Sequence, residues 1–225
     1  MTASLTRRTR WALGSAVALA ALFAGAATVA SARGDGAASA PLTPAADSAD
    51  AGFARDMAVH HQQAVEMSFV VRDVTDDEDV RRLAYDIAHT QANQRGMLLG
   101  WLDLWELPKT APDGQSPMSW MPDAHSGHDM QGMKGMDHDG ALMPGMATRT
   151  ELAQLRSARG EQAEILFLQL MTDHHEGGVA MARGCAERCA VPVEKRLAQG
   201  MVEAQQSELG LMADMLAERG AAPRH

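Results

Sequence analysis

Apolar side chains, together with one histidine, recur at alternating spacings of four and three residues between positions 53 and 74. This spacing is typical of one buried face of an α-helix. The face consists of Phe53, Met57, His60, Ala64, Met67, Val71 and Val74. We predict a first helix that ends near Val74 and, after a capping sequence at residues 75–78, a second helix that stops before Pro108. The inner positions of the second helix are Leu83, Ile87, Leu98 and Trp101.

The second half of the chain repeats the pattern of the first at an offset of 114 residues and without a gap. Thr148 and Glu151 can cap a third helix that continues through Cys185, and Pro192 suits the first turn of a fourth helix that ends at Gly220. A single hairpin of long helices cannot cover its own apolar stripe, so two copies predict an all-α fold, an antiparallel four-helix bundle. The predicted bundle spans 50–219, as a hairpin at 50–107, a connection at 108–147 and a second hairpin at 148–219.

The first 32 residues have the features of a signal peptide. Three arginines precede an uncharged apolar run, and a small-x-small cleavage site ends at Ala32. An uncleaved membrane anchor is the alternative, because the run approaches the ~20 residues that a spanning helix needs. Residues 33–49 are rich in small residues and proline, which predicts a disordered tether. We therefore predict an exported protein, either secreted, periplasmic or in the cell envelope, that meets a membrane only through its leader.

Histidine pairs bracketed by methionines stand on the core-facing side of the first and third predicted helices. The sequences are MAVHHQQAVEMS and MTDHHEGGVAMA, which contain Met57, His60, His61, Met67, Met171, His174, His175 and Met181. The second helix of each hairpin places two further polar side chains on its apolar stripe, Gln91 and Gln94 in one and Gln205 and Glu208 in the other. Buried polar groups require partners. Either the imidazoles bond to these side chains while methionine fills gaps, or the imidazoles bind a metal and the four side chains orient them.

The combination of thioether and imidazole favours copper among the metals. Thioether sulfur is a poor ligand for Mg²⁺, Ca²⁺ or Fe³⁺ and a good one for Cu(I), whereas imidazole accepts both oxidation states of copper. Methionine also suits an exported protein, because it is not titrated and does not form disulfides. We predict Cu(I) as the bound ion, with silver able to bind the same ligands as a mimic.

The connection at 108–147 shows no sustained periodicity and is predicted to be long and flexible. Its soft donors are Met118, Met121, His125, His128, Met130, Met133, Met136, His138, Met143 and Met146. Seven methionines in an unpatterned loop are costly to leave exposed to oxidation. We predict that they collect Cu(I) with low selectivity; a methionine surface that binds a partner is the alternative.

Cys185 and Cys189 are the two cysteines of the chain. Their spacing is awkward for a disulfide within a regular helix and fits better at a fraying helix end, whereas a thiolate pair for a soft metal is the other interpretation. The chain has no CxxC zinc framework. Its formal charge of −9 argues against a nucleic acid partner, because phosphates require a basic face.

The histidine motifs, with the later glutamines and the LGWL and ADML helix ends, resemble the exported family known as domain of unknown function 305, DUF305. The resemblance covers roughly residues 50–219. It implies a ferritin-like fold and copper handling, because some members are methionine- and histidine-rich copper-binding proteins of the cell envelope, and by motif it implies that the eight His and Met residues above are ligands. Gly177 and Gly178 replace Gln63 and Ala64 in the second motif, which we expect to loosen that helix by up to about 1 kcal/mol per glycine.

We predict that the protein is not an enzyme and that it sequesters or transfers Cu(I), in copper homeostasis or resistance, with the metal and an envelope copper donor or acceptor protein as its partners. A ferritin-like metal oxidase is the first alternative, but such centres use Glu-x-x-His on facing helices. The nearest sequence is Asp86-x-x-His89, which the second half does not repeat. A metal-free interaction module of the envelope is the second alternative.

Overall fold

The computed structural model describes residues 43–121 and 139–224. Within these ranges the chain is helical and contains no strand. Its helices are α1 (Ala49–Val74), α2 (Glu78–Leu104), α3 (Arg149–Ser157), α4 (Gly160–Arg188) and α5 (Pro192–Glu218). The predicted leader at 1–32 and the first part of the tether lie outside the described residues. The all-α prediction is confirmed, while the finer topology of an antiparallel ferritin-like bundle stays a prediction.

Local capping explains where the first two helices begin. The side chain of Ser48 accepts a hydrogen bond from the Ala51 N–H at the start of α1. The side chain of Asp77 accepts from two N–H groups at the start of α2. Both satisfy backbone donors that a helix start leaves without a partner. α1 therefore begins at Ala49, inside the predicted tether, and ends at Val74 as expected.

The third predicted helix is divided into two. Thr148 and Glu151 form a capping box at the start of α3, but the chain becomes extended at Ala158 and Arg159 before α4 begins. Gly160 has a φ of +54°, a conformation that glycine adopts without strain. The apolar stripe continues across the break, which is why the sequence pattern predicted one continuous helix.

The long helices share two separate apolar cores. α1 packs on α2, α4 packs on α5, and α1 also packs on α4. One core contains Cys185 and Cys189, which the structure joins in a disulfide, and we call it the disulfide-end core. It takes the start of α1, the end of α2, the end of α4 and the start of α5. The opposite-end core takes the end of α1, the start of α2, the start of α4 and the end of α5. Each long helix therefore crosses from one core to the other.

Both ends of the connection between the hairpins are packed against the helices. The Met118 N–H and the Trp120 Nε1–H both donate to Asp56 Oδ2, at 2.7 and 2.8 Å. The Trp120 ring meets Phe53 edge-on at 5.8 Å between centroids. Four of the predicted loop ligands belong to the disulfide-end core or pack against it: Met118, Met121, Met143 and Met146. The prediction of a flexible connection is therefore wrong for these residues, because their side chains have a core to fill.

Residues 143–147, which we call the strap, lie directly on α4. Gly145 has a φ of +74°, and a Cβ atom at Gly177 would lie 2.1 Å from the Pro144 carbonyl oxygen. The side chain of Gln63 holds the strap to α1, because it donates to the Ala147 carbonyl at 2.9 Å and accepts from the Ala147 N–H at 2.7 Å. Helix α4 thus needs glycine at position 177 for close approach, a packing role that the sequence pattern did not predict. The expected cost of this glycine in helix propensity stays a prediction.

Substitution of Gly177 by Ala should destabilise the protein by about 2 kcal/mol or more, because the new methyl group overlaps the strap backbone. Gly100 is the matched control, since it lies on an exposed face of α2 with open space around its Cα. Gly100→Ala should stabilise the protein by up to about 1 kcal/mol through helix propensity. Denaturant unfolding followed by circular dichroism measures both changes, and equal effects of the two substitutions would contradict this account of the strap.

Candidate metal centre

A layer of buried polar side chains separates the two apolar cores. α1 supplies His60 and His61, and α4 supplies His174 and His175, all with no exposed surface. α2 and α5 supply the remaining buried members, Gln91 and Gln205. We call these six residues the histidine layer. The structure therefore brings together the histidine pairs of the two halves, which the sequence alone left unresolved.

The rings of His60 and His174 lie against each other at the centre of the layer. Their centroids are 3.8 Å apart and their planes differ by 32°. His174 Nε2 lies 2.9 Å from the His60 carbonyl oxygen, and His60 Nε2 lies 3.3 Å from the Pro144 carbonyl oxygen of the strap. A carbonyl only accepts hydrogen bonds, so Nε2 carries the proton in both rings and Nδ1 keeps its lone pair. Both rings are thus oriented to offer Nδ1 as a ligand atom.

His175 is oriented by a carboxylate. Its Nε2 lies 2.7 Å from Glu208 Oε2, an arrangement that histidines bound to metals commonly make with their second nitrogen. His61 is placed beside Gln91 and Gln94, which favour its protonated form, although neither of its ring nitrogens makes a well-aligned hydrogen bond. All four of the predicted orienting residues therefore lie at or near the layer, and Glu208 makes the one direct hydrogen bond.

Several buried polar atoms of the layer have no hydrogen-bond partner among the described residues. They are Nδ1 of all four histidines, Nε2 of His61, both amide atoms of Gln91 and Oε1 of Gln205. An unsatisfied buried polar group costs about 1–3 kcal/mol. The layer is therefore expensive as a packed core, and its free lone pairs fit a cation that accepts imidazole nitrogen.

Burial favours the neutral form of three of these histidines. It lowers the pKa of His60 to about 4 and that of His61 to about 3, with the charge of His60 adding to the effect on His61. Burial, followed by the charges of His60 and His175, also lowers the pKa of His174 well below its usual range. Neutral imidazole is the form that binds metals.

The predicted thioether ligands flank the layer on both sides. Met57 and Met181 lie in the disulfide-end core, with Met118, Met143 and also Met201. Met67 and Met171 lie in the opposite-end core. Their side chains are buried, so any ion that they bind must lie inside the bundle. The sequence analysis missed Met201 and the Gln63 contact with the strap, because neither belongs to a recognisable motif.

The histidine nitrogens do not converge on a single point. In the part of the chain that the structure describes, one group brings three His, Cys or carboxylate ligand atoms within 4.8 Å of one another, and it consists of Cys185, Cys189 and Glu194. The two cysteines are joined in a disulfide at the C-terminal end of α4, one of the two states that their spacing left open. Six predicted loop ligands lie outside the described residues: His125, His128, Met130, Met133, Met136 and His138.

Glycine 178 completes the layer. A Cβ atom at this position would lie 2.5 Å from Gln205 Oε1. The absence of a side chain thus lets the Gln205 amide approach α4 beside the histidine pair. This contact gives the second glycine of the motif a packing role in addition to the loosening expected from the sequence.

Comparison with known proteins fits this architecture. The family model described as "Domain of unknown function (DUF305)" matches residues 50–216. The chain belongs to this family. The match includes both hairpins and therefore all six residues of the histidine layer. No curated protein matches the chain.

Three solved structures share the fold. A DUF305 protein from Streptomyces coelicolor, provisionally named as secreted, is 64% identical, with a TM-score of 0.70 over 80% of this chain and 99% of its own. A DUF305 fragment from Deinococcus radiodurans is 29% identical, with a TM-score of 0.60 over 76% of this chain and 96% of its own. CopM in its Cu(I)-bound form is 19% identical, with a TM-score of 0.55 over 75% of this chain and 96% of its own.

Within residues 43–121 and 139–224, no helix is both long and apolar enough to cross a membrane.

The pKa shifts predict a marked loss of stability in acid. For a histidine with a lowered pKa in the folded state, the unfolded chain takes up a proton near the ordinary pKa of 6.5, whereas the folded protein does so only near the lowered pKa, about 3 for His61. The free energy of unfolding is therefore highest above pH 6.5 and decreases as the pH falls from 6.5 toward 3. Between pH 7 and pH 4, the free energy of unfolding of the His61→Leu variant should therefore decrease by about 3 kcal/mol less than that of wild type. Denaturant unfolding of metal-free protein at both pH values measures the difference.

His89→Leu is the control for this prediction, because His89 is exposed on α2. It should leave the pH dependence of wild type unchanged. A His61→Leu variant with the same acid sensitivity as wild type would show that this imidazole is not held neutral by burial.

Proposed function

We propose that the protein binds copper, chiefly as Cu(I), in the histidine layer and sequesters or transfers it outside the cytoplasm. The observation that carries the proposal is the set of four buried imidazoles with unpartnered Nδ1 atoms. Burial keeps His60, His61 and His174 neutral at pH 7. Three of the four rings are oriented through Nε2. No N–H or O–H group of the described residues donates to the Nδ1 lone pairs of this layer. These lone pairs are therefore available to a metal ion.

Imidazole and thioether together supply the soft donor set that Cu(I) prefers. The residues that would hold the ion are His60, His61, His174 and His175, with Met57 and Met181 from one side and Met67 and Met171 from the other. Small side-chain rotations must accompany binding, because the ring nitrogens do not yet face a common point. Bound copper would supply the cation that satisfies the Nδ1 lone pairs.

The relatives support the choice of metal. Solved structures of CopM hold Cu(I), Cu(II) or silver, and these are 17–22% identical to this chain. Silver is a mimic of Cu(I) in its preference for soft ligands. The donors at His125, His128, Met130, Met133, Met136 and His138 are proposed as a collector that passes copper to the layer. Met121 and Met146, on either side of this segment in the sequence, pack against the disulfide-end core.

We extend the proposal to topology and location. The way in which each helix crosses from one core to the other supports an antiparallel four-helix bundle of ferritin-like type. The leader at 1–32, the disulfide and the secreted relative support export, because disulfides persist in oxidising compartments. An envelope copper donor or acceptor protein is the proposed partner, in copper homeostasis or resistance.

We propose no reaction for the layer. Di-iron oxidases of the bundle class use several carboxylates on facing helices. Glu208 is the one carboxylate that contacts a histidine of the layer within the described residues, and Glu66 instead pairs with Arg156. This composition supports storage or transfer of copper rather than oxidation.

An anaerobic Cu(I) titration against a competing chelator tests the proposal. The four-histidine variant, with His60, His61, His174 and His175 changed to Ala, should lose the tightest equivalent by more than about 100-fold in Kd. A variant with the six donors of 122–138 changed to Ser should lose only weaker equivalents. His89→Ala is the matched control and should bind as wild type does.

Circular dichroism of each variant must show a retained helical fold. If wild type cannot compete with the chelator, or if the four-histidine variant competes equally well, the layer is not a copper site. A metal-free interaction module would then be the better description of the protein.

A further inference from the structure

A second cluster of ligand atoms lies at the turn between α4 and α5, outside the histidine layer. Cys185 and Cys189 close the end of α4, and Glu194 lies in the first turn of α5. Their sulfur and carboxylate atoms lie within 4.8 Å of one another. The exposed fractions are 0% for Cys185, 3% for Cys189 and 0% for Glu194. All three side chains are therefore enclosed in the disulfide-end core.

Glu194 is in an unusual position for an acid in the first turn of a helix, where carboxylates normally face solvent. No N–H or O–H donor within the described residues reaches either of its carboxylate oxygens. Its charged neighbour is another acid, Asp50, whose oxygens accept from the N–H groups of Ala190 and Val191 at 2.7–3.1 Å. A buried carboxylate beside a second carboxylate requires either a proton or a cation.

In the disulfide form of the protein, a proton on Glu194 meets this requirement. Burial, and after it the charge of Asp50, raises the pKa of Glu194 to about 9. Glu194 is then a neutral acid that can donate to Asp50. One carboxylate oxygen of Glu194 lies within 4.8 Å of both cysteine sulfurs. The same side chain is therefore placed to act as an anionic ligand when the two sulfurs are free thiolates.

We propose that Cys185, Cys189 and Glu194 form a second metal site, for a thiophilic divalent cation of the Zn²⁺ class, that is available when the disulfide is reduced. Two thiolates and one carboxylate suit Zn²⁺, which accepts both sulfur and oxygen ligands. Cu(I) is satisfied by the thiolates alone and gains little from a carboxylate oxygen. The carboxylate of Glu194 therefore favours a divalent cation of the Zn²⁺ class over Cu(I). This proposal does not depend on copper binding by the histidine layer.

The redox step is a thiol–disulfide exchange with an external dithiol. The Cys185–Cys189 sulfur–sulfur bond breaks, both sulfurs become thiols, and the dithiol becomes a cyclic disulfide, so that two electrons and two protons reach the protein. Binding of the cation then releases the two thiol protons and the Glu194 proton to solvent. An external disulfide reverses the exchange: it takes back the electrons, the protein disulfide reforms, and the cation loses two ligands.

Cadmium is the probe for this site, because Cd²⁺ bound to thiolate gives a near-ultraviolet charge-transfer band that imidazole and thioether do not give. The purified protein is reduced with a phosphine, which leaves no competing thiol, and titrated with Cd²⁺ without oxygen. The reduced wild type should give the band with one equivalent, and Zn²⁺ should remove it. The disulfide form and the Cys185→Ser/Cys189→Ser variant should give no band.

Glu194→Gln tests the carboxylate. It should stay folded, since a neutral amide replaces a neutral acid beside Asp50, and it should bind Cd²⁺ about 10- to 100-fold more weakly than reduced wild type does. Glu187→Gln is the matched control, because Glu187 is an exposed glutamate between the two cysteines in sequence. It should bind as wild type does.

Three results would overturn the proposal. They are a reduced wild type without the band, a Glu194→Gln variant that binds as tightly as wild type, and a bound Cd²⁺ that a large excess of Zn²⁺ does not displace. The four-histidine variant should give the full band. Failure of copper binding in the layer would leave that result unchanged, so the two proposals are separable.

Discussion

The fold depends on the burial of four imidazoles at the middle of its helices. Apolar packing cannot continue through them, so the bundle has two cores and a polar layer between them. Burial keeps His60, His61 and His174 neutral, and the Nδ1 atoms of all four histidines have no hydrogen-bond partner among the described residues. A chain that keeps such a layer gives up stability that apolar residues would have provided. Under the proposed function, a bound cation offsets that cost, because it supplies the partners that the buried nitrogens lack.

The two halves of the duplication support this layer in different ways. In the first half, Gln63 reaches out from α1 and holds Ala147 of the strap. In the second half, Gly177 removes a side chain so that the strap can lie on α4, and Gly178 admits Gln205. The strap then brings the Pro144 carbonyl to His60. The two halves contribute equivalent histidines to the layer. The two sides of the layer are not equally accessible to an ion, because the strap covers one of them.

Local patterns predicted much of this structure. Helical periodicity with capping residues located α1 and α2, and polar residues on apolar stripes located the layer. The break at Ala158 and Arg159 has no signal in the hydrophobic period. The docking of Met118 and Met143 depends on contacts such as that with Asp56, more than 60 residues away. Glu194 lies in the first turn of a helix, where acids are common. Only the positions of Asp50 and of the two sulfurs distinguish it from other such acids. Such features arise from tertiary contacts, which a single sequence does not display.

A crystal structure of the Cu(I)-loaded protein, with anomalous diffraction recorded on both sides of the copper absorption edge, tests the central claim most directly. The account predicts a copper peak inside the bundle, within bonding distance of Nδ1 of at least two of the four histidines of the layer. It also predicts that the rings of His60 and His174 have rotated apart to admit the ion. Copper bound at full occupancy elsewhere, with these two rings still stacked and no peak between the two cores, would contradict it.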